Sequence, residues 1–338
     1  MRLQRLYYSL LYLGLLFGGP RLFAQASRDS VRFVNFSDSN YARVYSGFYH
    51  TMFSAGTGSI INGTGIHRGP RLQANSSAYL GGEIDYKWLT IAYAFNIPRT
   101  SVLGGRDRTV KAVNINVSHF WKHWGLEATY QHDRGLVDQD DLGLRTVNTV
   151  WQFVDYKYVG VNMDYFFNPN RFSYKAADNF SMLQTRSGGS WLLMVTPAYQ
   201  NFALQKNARD TAVKDTLLFN LLKGNTNHLI LLGKFGYTHQ FVWNGGHWSL
   251  SPLACIGPGL GFYLDNLHSR QKLYPMIGYQ GKLTLGYNGP KWYVYASGLY
   301  DLMQETQKNL GLKTVNEGVS LGVGYRFPSS RHRILKWL

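Results

Sequence analysis

Between Glu317 and Phe327 the chain alternates without a break. Val319, Leu321, Val323, Tyr325 and Phe327 are apolar, and Ser320, Gly322, Gly324 and Arg326 lie between them. A period of two puts successive side chains on opposite faces of a strand, one oily and one small or polar. Two architectures use such a strand. A soluble sheet turns the polar face to water. An outer-membrane barrel turns the oily face to lipid and the polar face to a lumen. A strand ending in Tyr325-Arg326-Phe327, close to the C-terminus, is where the closing strand of a barrel belongs. An edge strand of a soluble sandwich is the alternative on this stretch alone.

The N-terminus points to export. Arg2 and Arg5 precede an apolar run from Leu6 to Phe17, which Gly19-Pro20 breaks, and Ala24-Gln25-Ala26 has the small-residue pattern of a cleavage site. The apolar run is too short to span a bilayer as a helix and fits a secretory signal peptide. Residues 1–26 are therefore expected to be removed, leaving residues 27–338 as a single barrel domain. No Cys follows the cleavage site, so a lipid anchor is not expected. Cys255 is the only cysteine and has no partner for an internal disulfide.

Mean hydropathy is slightly negative at −0.23, and no stretch after the signal reaches the roughly 20 apolar residues of a spanning helix. Aromatic residues nevertheless make up 15% of the chain, with 24 Tyr, and there are 36 Gly. These residue types build barrel strands and their interfacial girdles. Without Arg2, Arg5 and Arg21 the chain keeps 32 basic against 19 acidic residues. No helical or zinc motif for nucleic acid accompanies that excess, so no nucleic-acid partner is expected. Basic loops facing the phosphates of lipopolysaccharide account for it. The expected partners are outer-membrane lipid, lipopolysaccharide and the barrel-assembly machinery; the oligomeric state is left open.

About twelve segments read as strands: 42–54, 77–87, 89–97, 110–121, 124–132, 157–166, 190–202, 229–241, 247–262, 275–287, 291–302 and 317–327. The first and seventh alternate poorly. Connections are short near Trp88, at Lys122-His123, at Asn244-Gly245-Gly246 and at Asn288-Gly289-Pro290, where Asn-Gly favours tight hairpins. They are long at 55–76, 98–109, 133–156, 203–228, 263–274 and 303–316. Short turns alternating with long loops is the asymmetry of an outer-membrane barrel. Trp88, Trp121, Trp124, Trp243, Trp248 and Trp292 all lie beside short turns, as an interfacial girdle requires. The fold class is all-β, an antiparallel transmembrane barrel of about twelve strands.

One connection on the short-turn side is long, from Phe167 to Gly189. Pro169 is able to open a helix with Phe172, Ala176, Phe180 and Leu183 on one face. A periplasmic helix, a plug in the lumen and a pair of strands all remain open. At this segment the chain resembles an uncharacterised family of exported barrel proteins from Bacteroidetes-type bacteria, known only as a domain of unknown function. The residues that carry the resemblance are Asn168, Phe172-Ser173-Tyr174-Lys175-Ala176-Ala177, Gln184 and Ser187-Gly188-Gly189-Ser190, with Tyr86-Lys87-Trp88 and Gly324-Tyr325-Arg326-Phe327. The family usually has Ala where Gly188 stands. The resemblance covers about residues 40–327 and implies an outer-membrane barrel without implying an activity.

No catalytic constellation stands out, and no enzyme, cofactor or metal site is expected. Ser187 and Ser190 have no His nearby in sequence, and the distant His119, His132 and His239 reach them only if the fold brings them there. Asp138-Gln139-Asp140-Asp141-Leu142-Gly143 lacks an oxygen ligand at its fifth position and reads as a solvated acidic loop. The polar residues of most interest are those expected to face inward: Glu83, Asp85, Glu127 and Asp164 in the first half, Lys234, Lys282 and Arg326 in the second. Acids and bases on opposite walls would impose a transverse field on a permeating solute. Alternatively these groups pair inside a lumen packed with side chains. The function expected is a narrow solute channel or a structural envelope barrel. An enzyme of outer-leaflet lipids and a surface-loop adhesin or receptor are the alternatives.

Overall fold

The computed structural model describes residues 32–36, 39–56, 71–74, 77–86, 89–98, 100, 111–141, 146–204, 226–264, 273–305 and 311–328. Twelve antiparallel strands close into a barrel. In chain order they are β2 (Ser39–Gly56), β4 (Ser77–Tyr86), β5 (Leu89–Asn96), β6 (Lys111–Phe120), β7 (Trp124–Asp141), β8 (Thr146–Phe166), β10 (Gly188–Leu204), β11 (Thr226–Trp243), β12 (Trp248–Tyr263), β13 (Leu273–Asn288), β14 (Trp292–Glu305) and β15 (Gly311–Pro328). Each pairs with its sequence neighbours, and β15 closes on β2 along its whole length, from Gly311 opposite Gly56 to Pro328 opposite Ser39. Closure leaves no unpaired sheet edge, which is the condition for strands to cross a membrane.

Among the described residues three short strands are additional to these twelve: β1 (Phe33–Asn35), β3 (Arg71–Ala74) and β9 (Met182–Gln184). β3 bridges β2 and β7 above the shorter strands β4 to β6. β1 pairs with β9, tying the start of the described chain to the segment between β8 and β10. The stretch 133–156, read from sequence as a long loop, is mostly ladder. β7 and β8 stay paired from Asp133 opposite Tyr156 out to Asp141 opposite Thr146, with a bulge between Arg134 and Leu136. Of the other expected loops, 57–70, 101–110, 205–225, 265–272 and 306–310 lie outside the described residues, as do the expected signal peptide and the tail 329–338.

The outer wall is apolar. Val44, Ile84, Ile91, Leu231, Leu283 and Leu321 are among its exposed side chains, and Leu321 is 68% accessible. A soluble protein does not expose a belt of this kind. At the short-turn end Trp121, Trp124, Trp191, Trp243, Trp248 and Trp292 all point outward. Trp88 lies outside the described residues; Trp191 takes a place in the girdle that its position inside β10 had hidden. Inside are buried polar side chains such as Thr51, Gln131, Thr196, Gln200 and Thr238. Apolar outside, polar inside and an aromatic girdle at one rim make the protein an outer-membrane β-barrel. In this class the short turns are periplasmic and the long loops external.

Candidate functional site: a plugged lumen

The segment between β8 and β10 folds back into the periplasmic end of the lumen. It contains one helical turn, α1 (Tyr174–Ala177), followed by β9. The helix is far shorter than Pro169 and the Phe172, Ala176, Phe180, Leu183 spacing suggest. All four of those side chains are buried all the same. Phe172, with Ala177, packs against Phe166, Leu192, Met194, Leu253 and Cys255 of the wall. Tyr174 stacks on Phe166 at 5.2 Å and meets Phe120 at 4.8 Å. Of the three conformations open from sequence, the plug is the one adopted, with a helical turn and the single short strand β9, paired to β1, built into it.

Hydrogen bonds and charges from the wall fix the plug. Gln240 Nε2 donates to Ala176 O at 3.2 Å, and Asn288 Nδ2 donates to Met182 O at 2.8 Å. Lys282 forms an ion pair with Asp178. The Arg326 guanidinium donates to Phe180 O, Gly289 O and Asn288 Oδ1, and lies 4.9 Å from the Tyr293 ring centroid. Within the plug, Gln184 accepts from Ser173 N–H at 3.0 Å and donates to Arg186 O at 2.9 Å, holding the two ends of the turn together. Burial of Lys175 on α1 pushes its ammonium below the usual pKa, against the opposite pull of Asp85.

Phe180 sits at φ 56°, in the left-handed region. That conformation costs a non-glycine residue about 1–3 kcal/mol and persists where the surroundings over-determine it. Here the ring is stacked on Tyr293 at 5.4 Å and Tyr295 at 5.7 Å, while Arg326 holds the carbonyl. Gly286 makes the seat possible, because a Cβ there would come within 2.4 Å of the Phe180 ring.

Above the plug a cavity of about 290 Å³ runs along β2, β4 to β7 and β13 to β15, from Thr51 and Asp133 near the external end down to Asp178 and Asn179. Its lining includes four acids, Glu83, Glu127, Asp133 and Asp178, and two bases, Arg43 and Lys282. Both bases are already engaged, Arg43 with Glu83 and Lys282 with Asp178. The opposite side of the lumen is filled. Ile230, Leu232, Tyr263, Tyr274, Met276 and Met303 cluster there, and Phe53, Tyr156 and Phe202 form an aromatic group near the external end.

The seven charged residues singled out from sequence all sit at inward positions of their strands. Glu83 also accepts from Tyr41 Oη at 2.8 Å, and Asp85 accepts from Thr90 Oγ1 at 2.6 Å. Glu127 lines the cavity, and Asp164 is buried in the wall. Lys234 donates to Gln280 Oε1 at 2.7 Å and to Asp301 Oδ1 at 3.2 Å. The acids and bases do not form two opposed walls. Arg43 stands beside Glu83 and Asp301 beside Lys234, so charges of both signs are interleaved around the ring. Arg43, Asp178, Gln240, Asn288 and Asp301 are residues whose site role sequence reasoning missed, and Phe180 was marked only as part of an apolar helix face. Asp178 and Phe180 lie between quoted motif residues, and Asn288 belongs to an Asn-Gly turn, but nothing local marks the others.

Ser187, Gly188, Gly189 and Ser190 begin β10. Ser190 is fully buried, with its hydroxyl between Asn168 N–H at 2.8 Å and Trp191 O at 2.7 Å. Ser187 Oγ accepts from Val242 N–H at 2.9 Å. His239 pairs across the ladder with Gly189. Ser190 and Asn168 thus join the plug to the wall at its entry.

Three solved barrels superpose weakly on the chain. The outer-membrane protease OmpT of Escherichia coli is 10% identical, covering 89% of this chain and 100% of that one, with a TM-score of 0.38. An outer-membrane channel of Pseudomonas putida F1 is 11% identical over 89% and 100%, with a TM-score of 0.39. The β domain of the Bordetella autotransporter BrkA is 10% identical over 86% and 99%, with a TM-score of 0.39. Likenesses this weak say nothing of activity, and no curated protein matches the sequence. The family model of a domain of unknown function, DUF4421, matches residues 28–327, and the chain belongs to that family.

Proposed function

We propose that the protein is a non-enzymatic, narrow solute channel held shut at its periplasmic end by residues 167–187. The observation that carries this reading is the cavity: it follows the lumen from the external end and stops on Asp178 and Asn179 of the plug. A purely structural barrel gains nothing by leaving one side of its lumen hollow. Arg43 is paired with Glu83 and Lys282 with Asp178, so Glu127 and Asp133 are the excess charge of the lining, and an opened path favours cations because carboxylates lining a pore select them.

The test is planar-bilayer conductance of the refolded protein beside two variants. One replaces residues 171–185 by a short Gly-Ser linker; the other, Phe180→Gly, removes the stacked ring without shortening the chain. Heat-modifiable gel migration verifies that each has folded. Wild type is expected to be almost silent, and at least one variant to open discrete, cation-preferring channels. Folded variants that stay silent would make the barrel a structural one. Turnover of labelled phospholipid by wild type would make it an enzyme.

A further inference from the structure

The external half of the β6–β7–β8 wall carries a group of bases on the lipid-facing side. Lys111 on β6, His132 and Arg134 on β7, and Lys157 on β8 all occupy outward positions, alternating with the inward Ala112, Gln131, Asp133 and Tyr156. Register places Lys111 directly opposite Arg134, and His132 directly opposite Lys157. Directly opposed Cβ atoms in an antiparallel pair are about 4.5–5.5 Å apart, and like charges so placed destabilise the ladder. The patch has one carboxylate among the described residues, Asp155, 3.7 Å from Arg134 Nε. The Nε2 of His132 is buried and has no hydrogen-bond partner among the described residues. A β-bulge beside Arg134 re-aims the strand at this point.

The height of the patch identifies what it faces. Trp124 marks the periplasmic interface on β7, and Arg134 lies ten residues further along the strand. Ten residues advance about 33 Å, and a strand tilt near 40° reduces this to about 25 Å of height, the thickness of the apolar band. On β6 the same spacing separates Trp121 from Lys111. Between the two levels lie Ile115, Tyr130 and Val159, all exposed and apolar. Lys111 and Arg134 therefore stand at the outer-leaflet headgroup level, with His132 and Lys157 two residues below them on their strands, from where the long Lys157 side chain reaches the same level.

We infer that Lys111, Arg134 and Lys157, with His132, form a binding site for the phosphate groups of an outer-leaflet glycolipid of the lipopolysaccharide type. A phosphate set between opposed bases converts their repulsion into charge-assisted hydrogen bonds, with the Arg134 fork and the two ammonium groups as donors. The acyl chains of the same lipid lie along Ile115, Tyr130 and Val159. A free anion has no such second contact, so the site commits to the lipid.

The test uses the full chain refolded in detergent, with its melting temperature followed as lipopolysaccharide is added. Lys111→Gln/Arg134→Gln/Lys157→Gln removes the patch. Lys122→Gln/Lys291→Gln removes exposed bases at the opposite rim, and Lys111→Arg/Lys157→Arg keeps the charge in place. Wild type, the opposite-rim variant and the Arg variant are expected to be stabilised alike. The triple variant is expected to need on the order of 100-fold more lipid, from three lost surface cations. Lipopolysaccharide stripped of its lipid A phosphates, and inorganic phosphate at equal phosphorus, are expected to stabilise wild type far less than the intact lipid. The inference is overturned if the triple variant responds like wild type, or if either probe works as well as intact lipid.

Discussion

Arg326→Met is expected to be the most damaging single change in the lumen, lowering stability by about 3–5 kcal/mol. The loss comes from what the guanidinium leaves behind. Phe180 O, Gly289 O and Asn288 Oδ1 all depend on it, and each buried acceptor left unsatisfied costs about 1–3 kcal/mol. The effect does not stop at the wall. Without that grip on its carbonyl, Phe180 has less to hold it at φ 56°, and the plug is expected to loosen around it. Thermal denaturation in detergent should show the lower midpoint, and limited proteolysis should find new cleavage between Phe167 and Ser187. Arg326→Lys should recover only part of the loss, since one ammonium does not span three acceptors on three sides. A stability within about 0.5 kcal/mol of wild type for Arg326→Met, the ordinary range for an inert surface change, would mean that the plug is held by its aromatic contacts alone.

Leu321→Arg is expected to cost about 2–4 kcal/mol and to impair assembly into bilayers, whereas Ser320→Arg is tolerated. The two positions are adjacent on β15. Leu321 stands four residues from the Tyr325 level, near mid-bilayer, and is the most exposed apolar side chain of its strand. A charge there meets hydrocarbon. Ser320 lines the cavity, where an added guanidinium finds water and carboxylates. Refolding yield into lipid vesicles separates them. Equal yields for both variants would show the facing to be wrong. Gly322, which the sequence pattern offers as another inward control, is unsuitable because its Cβ would come 2.3 Å from the Tyr295 ring.

The facing of most strands was legible from alternation alone, and two exceptions have a single cause. The segments around Tyr45 and Met194 alternate poorly because aromatic and aliphatic side chains take many of their inward positions. On β2, Tyr41, Tyr45, Tyr49 and Phe53 point into the lumen, and on β10 so do Leu192, Met194, Ala198 and Phe202. A lumen packed with side chains there erases the contrast that marks a membrane strand. The acidic run at Asp138 was misread for a related reason. Its backbone continues the β7–β8 ladder beyond the apolar band, where neither face needs to be oily and the period-two signal fades.

What the sequence determined by itself is everything that depends on neighbours along the chain. Alternation sets which side chains meet lipid, Asn-Gly pairs set the tight turns, and tryptophans beside those turns set one membrane interface. Each is a relation over a few residues, so composition and spacing suffice. What only the tertiary structure decided is who stands opposite whom across the lumen. Arg326 and Phe180 are 146 residues apart, Asn288 and Met182 are 106 apart, and Lys234 and Asp301 are 67 apart. Closing the ring of twelve strands and folding 167–187 inward brings these groups together. No local pattern records those distances, because the constraint on each residue is set by burial beside a partner on a distant strand.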